Sequence, residues 1–325
     1  MHKTMRLFPI AAAVMLSAIV WSVSAAPAFA WPDRTVKFFV PLGPGSGVDI
    51  TARVLADRLS KKWGQPVVVE NRPGGDAIVA VTAFISANDD HTLLFTPTGA
   101  FASHPYLHDK LPYDASALGP ITRVTNTIVV LAVPASLNIN SVKELLDMAR
   151  AQPGKLNWAT ATGTNDFLFQ GFLKQSGLEM IKVPYRDTVS AVNDLAEARI
   201  QAYIAAYAIV RPQVQAGKIK LLAVTNRERA KGAPEIPTAK EAGFPGLGFD
   251  GLVGIFGPRT MPNDVRAKIA ADVKEITADP EVTSRLTATG QNVSPGTSAE
   301  FAAAYEEQRA QVAGVAKLLG LKMGQ

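Results

Sequence analysis

The chain has no cysteine among its 325 residues. That excludes disulfides, thiolate sites and a lipoprotein anchor, and it is compatible with an oxidising compartment. Histidine is scarce: after His2 only His91, His104 and His108 occur. His104 and His108 are four apart, but Pro105 between them argues for a turn. With no third ligand near them, both are expected at the surface, and no metal and no cofactor are expected. There is no H-E-x-x-H. Past residue 30 no apolar run is long enough to span a bilayer. Charge is sparse at 19%, with 33 basic side chains against 28 acidic ones. Two of the basic residues, Lys3 and Arg6, fall in the first thirty positions. The remaining excess is too small to suggest nucleic acid and suits a small anionic ligand at most. What is abundant is apolar: 47% hydrophobic residues can bury a large core.

Residues 1–30 read as a signal peptide. Lys3 and Arg6 form a basic head, Leu7 to Val23 is apolar but interrupted by Pro9, and Ala28-Phe29-Ala30 is an A-x-A cleavage site before Trp31. No twin-Arg pair is present, which favours export as an unfolded chain. The expectation is a soluble periplasmic protein, cleaved after Ala30, with a mature part large enough for one large or two medium domains.

The mature part is organised around Val36 to Ile50. Val36-Lys37-Phe38-Phe39-Val40 reads as a buried strand, Pro41 to Gly47 as a Gly-rich turn, and Val48 onward as a helix with apolar residues at Ile50, Val54, Leu55 and Leu59. Ser46 followed by Asp49 is a capping-box-like start. A helix start offers backbone N–H groups and partial positive charge, and Gly lets a ligand approach. Two readings stay open: a turn that holds a carboxylate or phosphate, or one that caps itself with Asp49 and binds nothing.

Strands then alternate with helices: strands at 66–70, 92–96, 127–133, 156–161, 181–185, 200–206, 220–225 and 251–256, and capped helices opening at Ser141 and Thr297. This pattern predicts an α/β fold with mainly parallel sheets and helices on both faces. Ligands in such folds sit beyond the carboxyl ends of strands. The turns after Val40, after Thr96 (with Thr98 and Gly99) and after Ala161 (with Thr162, Gly163 and Thr164) all carry Gly with Ser or Thr. Two such turns from different sheets would clamp a carboxylate.

Rival chemistries fit poorly. Gly43, Gly45 and Gly47 fail G-x-G-x-x-G at Val48, and Pro44 removes an N–H. No Gly-Lys-Ser/Thr completes a P-loop. Gly45-Ser46-Gly47 is not a nucleophile elbow, since Pro44 holds its first position. An exported enzyme using the same cleft lacks an activated nucleophile, a metal cluster or an acid–base pair, so no catalytic residues are named.

Several motifs in order resemble one family. Pro41-Leu42-Gly43-Pro44-Gly45-Ser46-Gly47-Val48-Asp49 resembles P-F-x-P-G-G-x-x-D, and Gly64 to Gly74 resembles G-Q-P-V-V-V-E-N-R-P-G. Leu111-Pro112-Tyr113-Asp114, Pro153 to Ala159 and Val183-Pro184-Tyr185-Arg186 are similar to L-P-Y-D, P-G-K-L-N-Y-A and V-P-Y-[KR], and Ala216 to Thr225 and Ile236-Pro237-Thr238 follow in family order. From Trp31 to about Leu319 the chain resembles the tripartite tricarboxylate transporter substrate-binding receptors (Bug/TctC).

The resemblance implies a two-domain periplasmic binding protein of type II-like fold with a cleft between the domains. Domain 1 would comprise 31–125 and 251–325, and domain 2 would comprise 126–250. It implies a small organic carboxylate as ligand and membrane permease subunits of a tripartite transporter as partner, with a monomer expected. An orphan receptor serving a signalling sensor would look the same. The carboxylate would be held by Leu42, Gly43, Pro44, Gly45 and Ser46 and by Thr160, Thr162, Gly163 and Thr164. Asp49 would cap its own helix. Tyr185 and Arg186 would line the cleft, Arg186 pairing a carboxylate, while Phe167 and Phe169 would be core.

Three departures stand out. Thr164-Asn165-Asp166-Phe167 is one residue shorter than the family's turn and lacks its His. Gly74-Gly75-Asp76-Ala77-Ile78-Val79 replaces G-x-G-G-N-I-G. Ala205 stands where an acid ends V-D-x-x-F-D. The expected ligand is therefore a monocarboxylate with an apolar or aromatic remainder.

Overall fold

The computed structural model describes residues 31–185 and 187–324. The expected leader, 1–30, and Arg186 lie outside the described residues. In chain order the elements are β1 (Val36–Val40), α1 (Gly47–Trp63), β2 (Val67–Asn71), α2 (Ile78–Ala87), β3 (Thr92–Pro97), α3 (Gly99–Leu107), β4 (Leu118–Thr127) and β5 (Val129–Pro134). There follow α4 (Val142–Ala151), β6 (Asn157–Thr160), α5 (Gly163–Gln175), β7 (Ile181–Lys182), α6 (Thr188–Ala196), β8 (Ala202–Ala206), α7 (Tyr207–Gln215) and β9 (Ile219–Val224). Last come β10 (Gly251–Pro258), α8 (Asn263–Ala278), α9 (Pro280–Ala288), β11 (Gln291–Val293) and α10 (Ser298–Leu319).

Two sheets carry the fold. The first is six-stranded, in the order β11-β4-β10-β3-β1-β2, and the second five-stranded, β7-β6-β8-β5-β9. The expected mainly parallel sheets are mixed. β1 runs parallel to β2 and β3, but β10 is antiparallel to β3 and β4, and β11 to β4. In the second sheet β6 is parallel to β7 and β8, while β5 is antiparallel to β8 and β9. The physical reason is the return of the chain: β10 comes back from the second sheet and slots between β3 and β4 from the opposite direction.

The caps behave as the sequence reads. Ser46 Oγ accepts from Asp49 N–H at 3.2 Å and Gly64 closes α1 at φ 69. Val48, Ala52, Leu55, Ala56 and Leu59 give α1 its buried stripe. Thr297 and Glu300 form a reciprocal capping box at the start of α10.

Other elements were hidden. β4 carries Gly119 and Pro120, which mask its strand pattern. Pro120 is tolerated because β11 pairs only with Thr125–Thr127, so no neighbour on that side asks for its missing N–H. A single strand at 127–133 is instead the end of β4 and all of β5, broken at Ile128. The turn expected around Pro105 is helical: α3 runs through it and stops at Leu107. α7 likewise contains Pro212.

The chain passes between the sheets twice, at Ile128 and through 225–250. Ile128 N–H donates to Gly290 O (2.9 Å), beside the first sheet, and Ile128 O accepts from Tyr207 N–H (2.8 Å), beside the second. Asn226, 3% exposed, ties the two passages together. Its Oδ1 accepts from Val129 N–H (3.0 Å) and its Nδ2 donates to Thr127 O (2.9 Å). From Pro32 onward the residues hold together as one compact unit. α10 contributes by packing on β4 and α3 and on α5 of the second sheet. At that last contact Gly171 admits Val315, whose Cγ1 would lie 2.4 Å from any Cβ at position 171.

Asn226→Ala should cost about 1–3 kcal/mol, because it leaves a buried N–H and a buried carbonyl unpaired. A urea titration should show the lower midpoint with an unchanged slope.

Candidate functional site

The β1–α1 loop is set by one buried carboxylate. Asp49 is 1% exposed. Its Oδ2 accepts from Gly45 N–H (2.8 Å) and Arg53 Nε (3.1 Å), and its Oδ1 from Asn71 Nδ2 (2.7 Å). Asn71 Nδ2 also donates to Leu42 O (2.8 Å), so the end of β2 holds both flanks of the loop. Burial alone would raise the Asp49 pKa; the hydrogen bonds from Arg53, Asn71 and Gly45 outweigh it and hold the carboxyl below its ordinary value. Asp49 is thus a self-capping group. Ser46 Oγ and Asp49 are spent on the loop itself. Among the described residues, no group of the chain takes the N–H of Gly47 or Val48. These two donors open the 17-residue helix α1, where the dipole favours an anion.

Glycine is required at two of these positions. Gly45 has φ 84. At Gly47 a Cβ would stand 2.8 Å from Thr289 O, so the helix start is pressed against the turn before β11. Gly43 is different: nothing lies within 4 Å of its Cβ position and its φ is ordinary. Leu42, Gly43 and Ser46 are half-buried, and Pro44 and Gly45 exposed.

The turns of the two sheets do meet, through α3 and α5. A Cβ on Gly99 would touch Thr164 Cγ2 at 3.1 Å, and Ser103 Oγ lies 3.1 Å from Thr164 Oγ1. Thr162 caps α5 by accepting from Asn165 N–H (3.3 Å), and Thr160 Oγ1 donates to Thr162 O (3.2 Å). Thr98 is fully buried, its hydroxyl 2.5 Å from Gln308 Oε1 and its N–H on Leu252 O at 2.9 Å. Tyr185 donates its hydroxyl to Asp194 Oδ2 at 2.6 Å. Burial and that carboxylate push its phenol well above the usual value. Ala205 is fully buried in β8, opposite Val130. Phe167 and Phe169 are both core, but of different clusters. Phe169 stacks in the second sheet's core, while Phe167 crosses to the first and lies parallel to Tyr106 at 6.2 Å.

The histidine expectation needs correction. His104 is not a surface residue; it is fully buried in α3, with Nδ1 2.6 Å from the Tyr113 hydroxyl. Its Nε2 has no hydrogen-bond partner and lies 3.7 Å from Asp76 Oδ2. His108, four residues on, is half-buried with its ring 5.3 Å from that of His104. Asp76 and Ala77 both hold left-handed backbone, at φ 50 and 81. They fall in the segment that departs from the resembled pattern, so that departure is also a strained one. Asp76 Oδ2 sits 2.9 Å from where a Cβ of Gly163 would be.

Asp89, Asp90 and His91 place potential ligand atoms within 4.8 Å of one another. They are committed elsewhere: Asp89 binds Arg34 (2.5 Å) and Thr92 Oγ1 (3.1 Å), and His91 Nδ1 lies 2.7 Å from Asp90. They secure the start of β3. A separate cavity of ≈ 220 Å³ opens at the inter-sheet passage, beside Asn126, Asn226, Asp250 and Gln308. None of the residues expected to hold a ligand lines it.

The model of the tripartite tricarboxylate transporter family receptor matches residues 51–321. The chain belongs to that family. The receptor is 32% identical, over 89% of its length and 87% of the other's, to a UPF0065 protein of Bordetella bronchiseptica. Its fold superposes on Rpa4515 of R. palustris, solved with adipate, with a TM-score of 0.79 at 28% identity, covering 90% of the receptor and 99% of that chain. It also superposes on MatC from Rhodopseudomonas palustris, solved with bound malate, at 0.74 and 26% identity, covering 87% and 99%. The receptor is therefore a mixed α/β solute-binding protein. Among its described residues no helix is long and apolar enough to cross a membrane.

Because the Asp49 pKa is lowered in the fold, its stabilisation is complete above the unfolded value of about 4 and fades as pH falls through the lower folded value. Asp49→Asn should lower stability by about 1–3 kcal/mol at pH 7. A thermal melt series from pH 7 to pH 3 should then show a shallower acid limb for the variant than for the wild type.

Proposed function

We propose that the receptor is exported, cleaved after Ala30, and captures a small organic carboxylate between its two sheets for delivery to the permease subunits of a tripartite tricarboxylate-type transporter. The observation that carries the reading is the β1–α1 loop. Its own acid is sealed inward, and the Gly47 and Val48 N–H groups at the start of α1 are left for an anion. Family membership and the adipate and malate found in Rpa4515 and MatC support the ligand class.

The two sheets act as two domains, 31–125 with 251–325 and 126–250, joined at Ile128 and 225–250. Leu42 to Ser46 form one wall, and Thr160, Thr162 and Gly163 face it from the second sheet. Gly99 and Thr164 close the contact between α3 and α5, and Tyr185 borders the cleft. The far end of the ligand is apolar or aromatic, in keeping with the absence of an acid at position 205. The leader pattern supports a periplasmic location. The scarcity of nucleophile, base and metal clusters supports binding without catalysis.

Gly43→Asp tests the central point, since its side chain meets no obstacle and no backbone strain. It should weaken carboxylate binding at least about 100-fold, corresponding to about 2.7 kcal/mol, while the thermal midpoint of the empty protein stays within a few degrees. Titration calorimetry against a carboxylate panel reads this out. Undiminished binding would sink the loop as the anion site, and stabilisation by sugars or amines alone would sink the ligand class.

A further inference from the structure

We propose that Asp76 is a specificity-determining residue that places the protein's own carboxylate at the α5 end of the cleft and so turns away ligands with an anionic far end. The inference rests on the carboxylate reading above and deepens it.

Four observations converge on this side chain. Asp76 belongs to the first sheet's β2–α2 turn, yet its Oδ2 reaches Gly163, the first residue of α5 in the second sheet. Its backbone, with that of Ala77, is held left-handed, a cost L-residues bear only where the surroundings insist. His104, buried and fixed in α3, aims an unpartnered Nε2 at the same oxygen from 3.7 Å. Asp76 itself remains more than one-third exposed, so its carboxylate is open to solvent.

Burial raises the Tyr113 pKa, with Tyr305 and Asp76 adding to it, so the phenol keeps its proton. When that hydroxyl donates to His104 Nδ1, the ring hydrogen sits on Nε2, towards Asp76. His104 Nε2 and the first turn of α5 thus both face one carboxylate. The helix end that a second ligand carboxylate would use is already answered by Asp76. A second anion placed there meets like charge, whereas a methyl, hydroxyl or ammonium group does not.

Two matched ligand sets test this: hexanoate, 6-aminohexanoate and adipate, and benzoate, 4-(aminomethyl)benzoate and terephthalate. Within a set only the far group changes. Calorimetry on the purified protein should show the dicarboxylate binding at least about tenfold more weakly than its best partner. Asp76→Asn and Asp76→Gly should erase that gap by strengthening the dicarboxylate about tenfold, with under threefold change for the monoacid. Both replacements accept left-handed backbone, and the glycine variant should melt no lower than the wild type. A wild type that prefers the dicarboxylate, or variants that keep the wild-type ranking, would overturn the role of Asp76 and leave the carboxylate reading intact. Binding of none of the six ligands by any of the three proteins would overturn the carboxylate reading itself, and this inference with it.

Discussion

One backbone residue joins the two halves of this molecule. Ile128 is the whole link between β4 and β5, and its two polar groups divide their allegiance. The N–H goes to Gly290 beside the first sheet, and the carbonyl is taken by Tyr207 beside the second. A buried peptide group cannot be left unpaired, so the position of each half is tied to that of the other through this unit. Asn226 repeats the arrangement from the second passage, bonding to Thr127 on one side and Val129 on the other. The β1–α1 loop touches the turn leading into β11 through Gly47, and that turn's Gly290 in turn packs on Ala208 of α7.

Much of the β1–α1 loop could be read from residues alone because its causes are local. Ser46 and Asp49 cap a helix three residues away, and Thr297 with Glu300 does the same for α10. Strand alternation located the first three strands for the same reason. What escaped had causes distant in sequence. The antiparallel strands arise because β10, separated from β3 by more than 150 residues, returns between β3 and β4. Nothing in the local pattern of 251–258 states its direction. Pro105 pointed to a turn, yet it sits in a helix that tertiary contacts sustain. His104 looked like a surface residue because the phenol that satisfies it, Tyr113, and the acid it faces, Asp76, lie in other elements.

The same contrast holds within the site. The loop residues Leu42 to Ser46 and the α5 turn were named by pattern, and the structure puts each at the end of a strand or the start of a helix. Thr98, Tyr185 and Ala205 were named by pattern too, but their hydroxyls or surfaces are engaged inside the protein. Asp76 was visible only as part of a segment that departs from the resembled pattern. Its meaning came from backbone sign and from Gly163 across the gap. α5 is where these lines meet: its start faces Asp76, Phe169 anchors it in its own core, and Phe167 anchors it in the other.

The placement of β10 also dictates an order of assembly. The second sheet is made from one continuous stretch, 129–224, and holds every strand it needs once that stretch has emerged. The first sheet cannot close until residues 251–258 arrive to fill its middle, and α10, the last element, then covers it. A chain threaded through a membrane from its N-terminus would therefore carry an unfinished first sheet, its β3 and β4 without their shared partner, until nearly all of it had crossed. In such a passage, late closure would leave the final step of folding to the far side of the membrane.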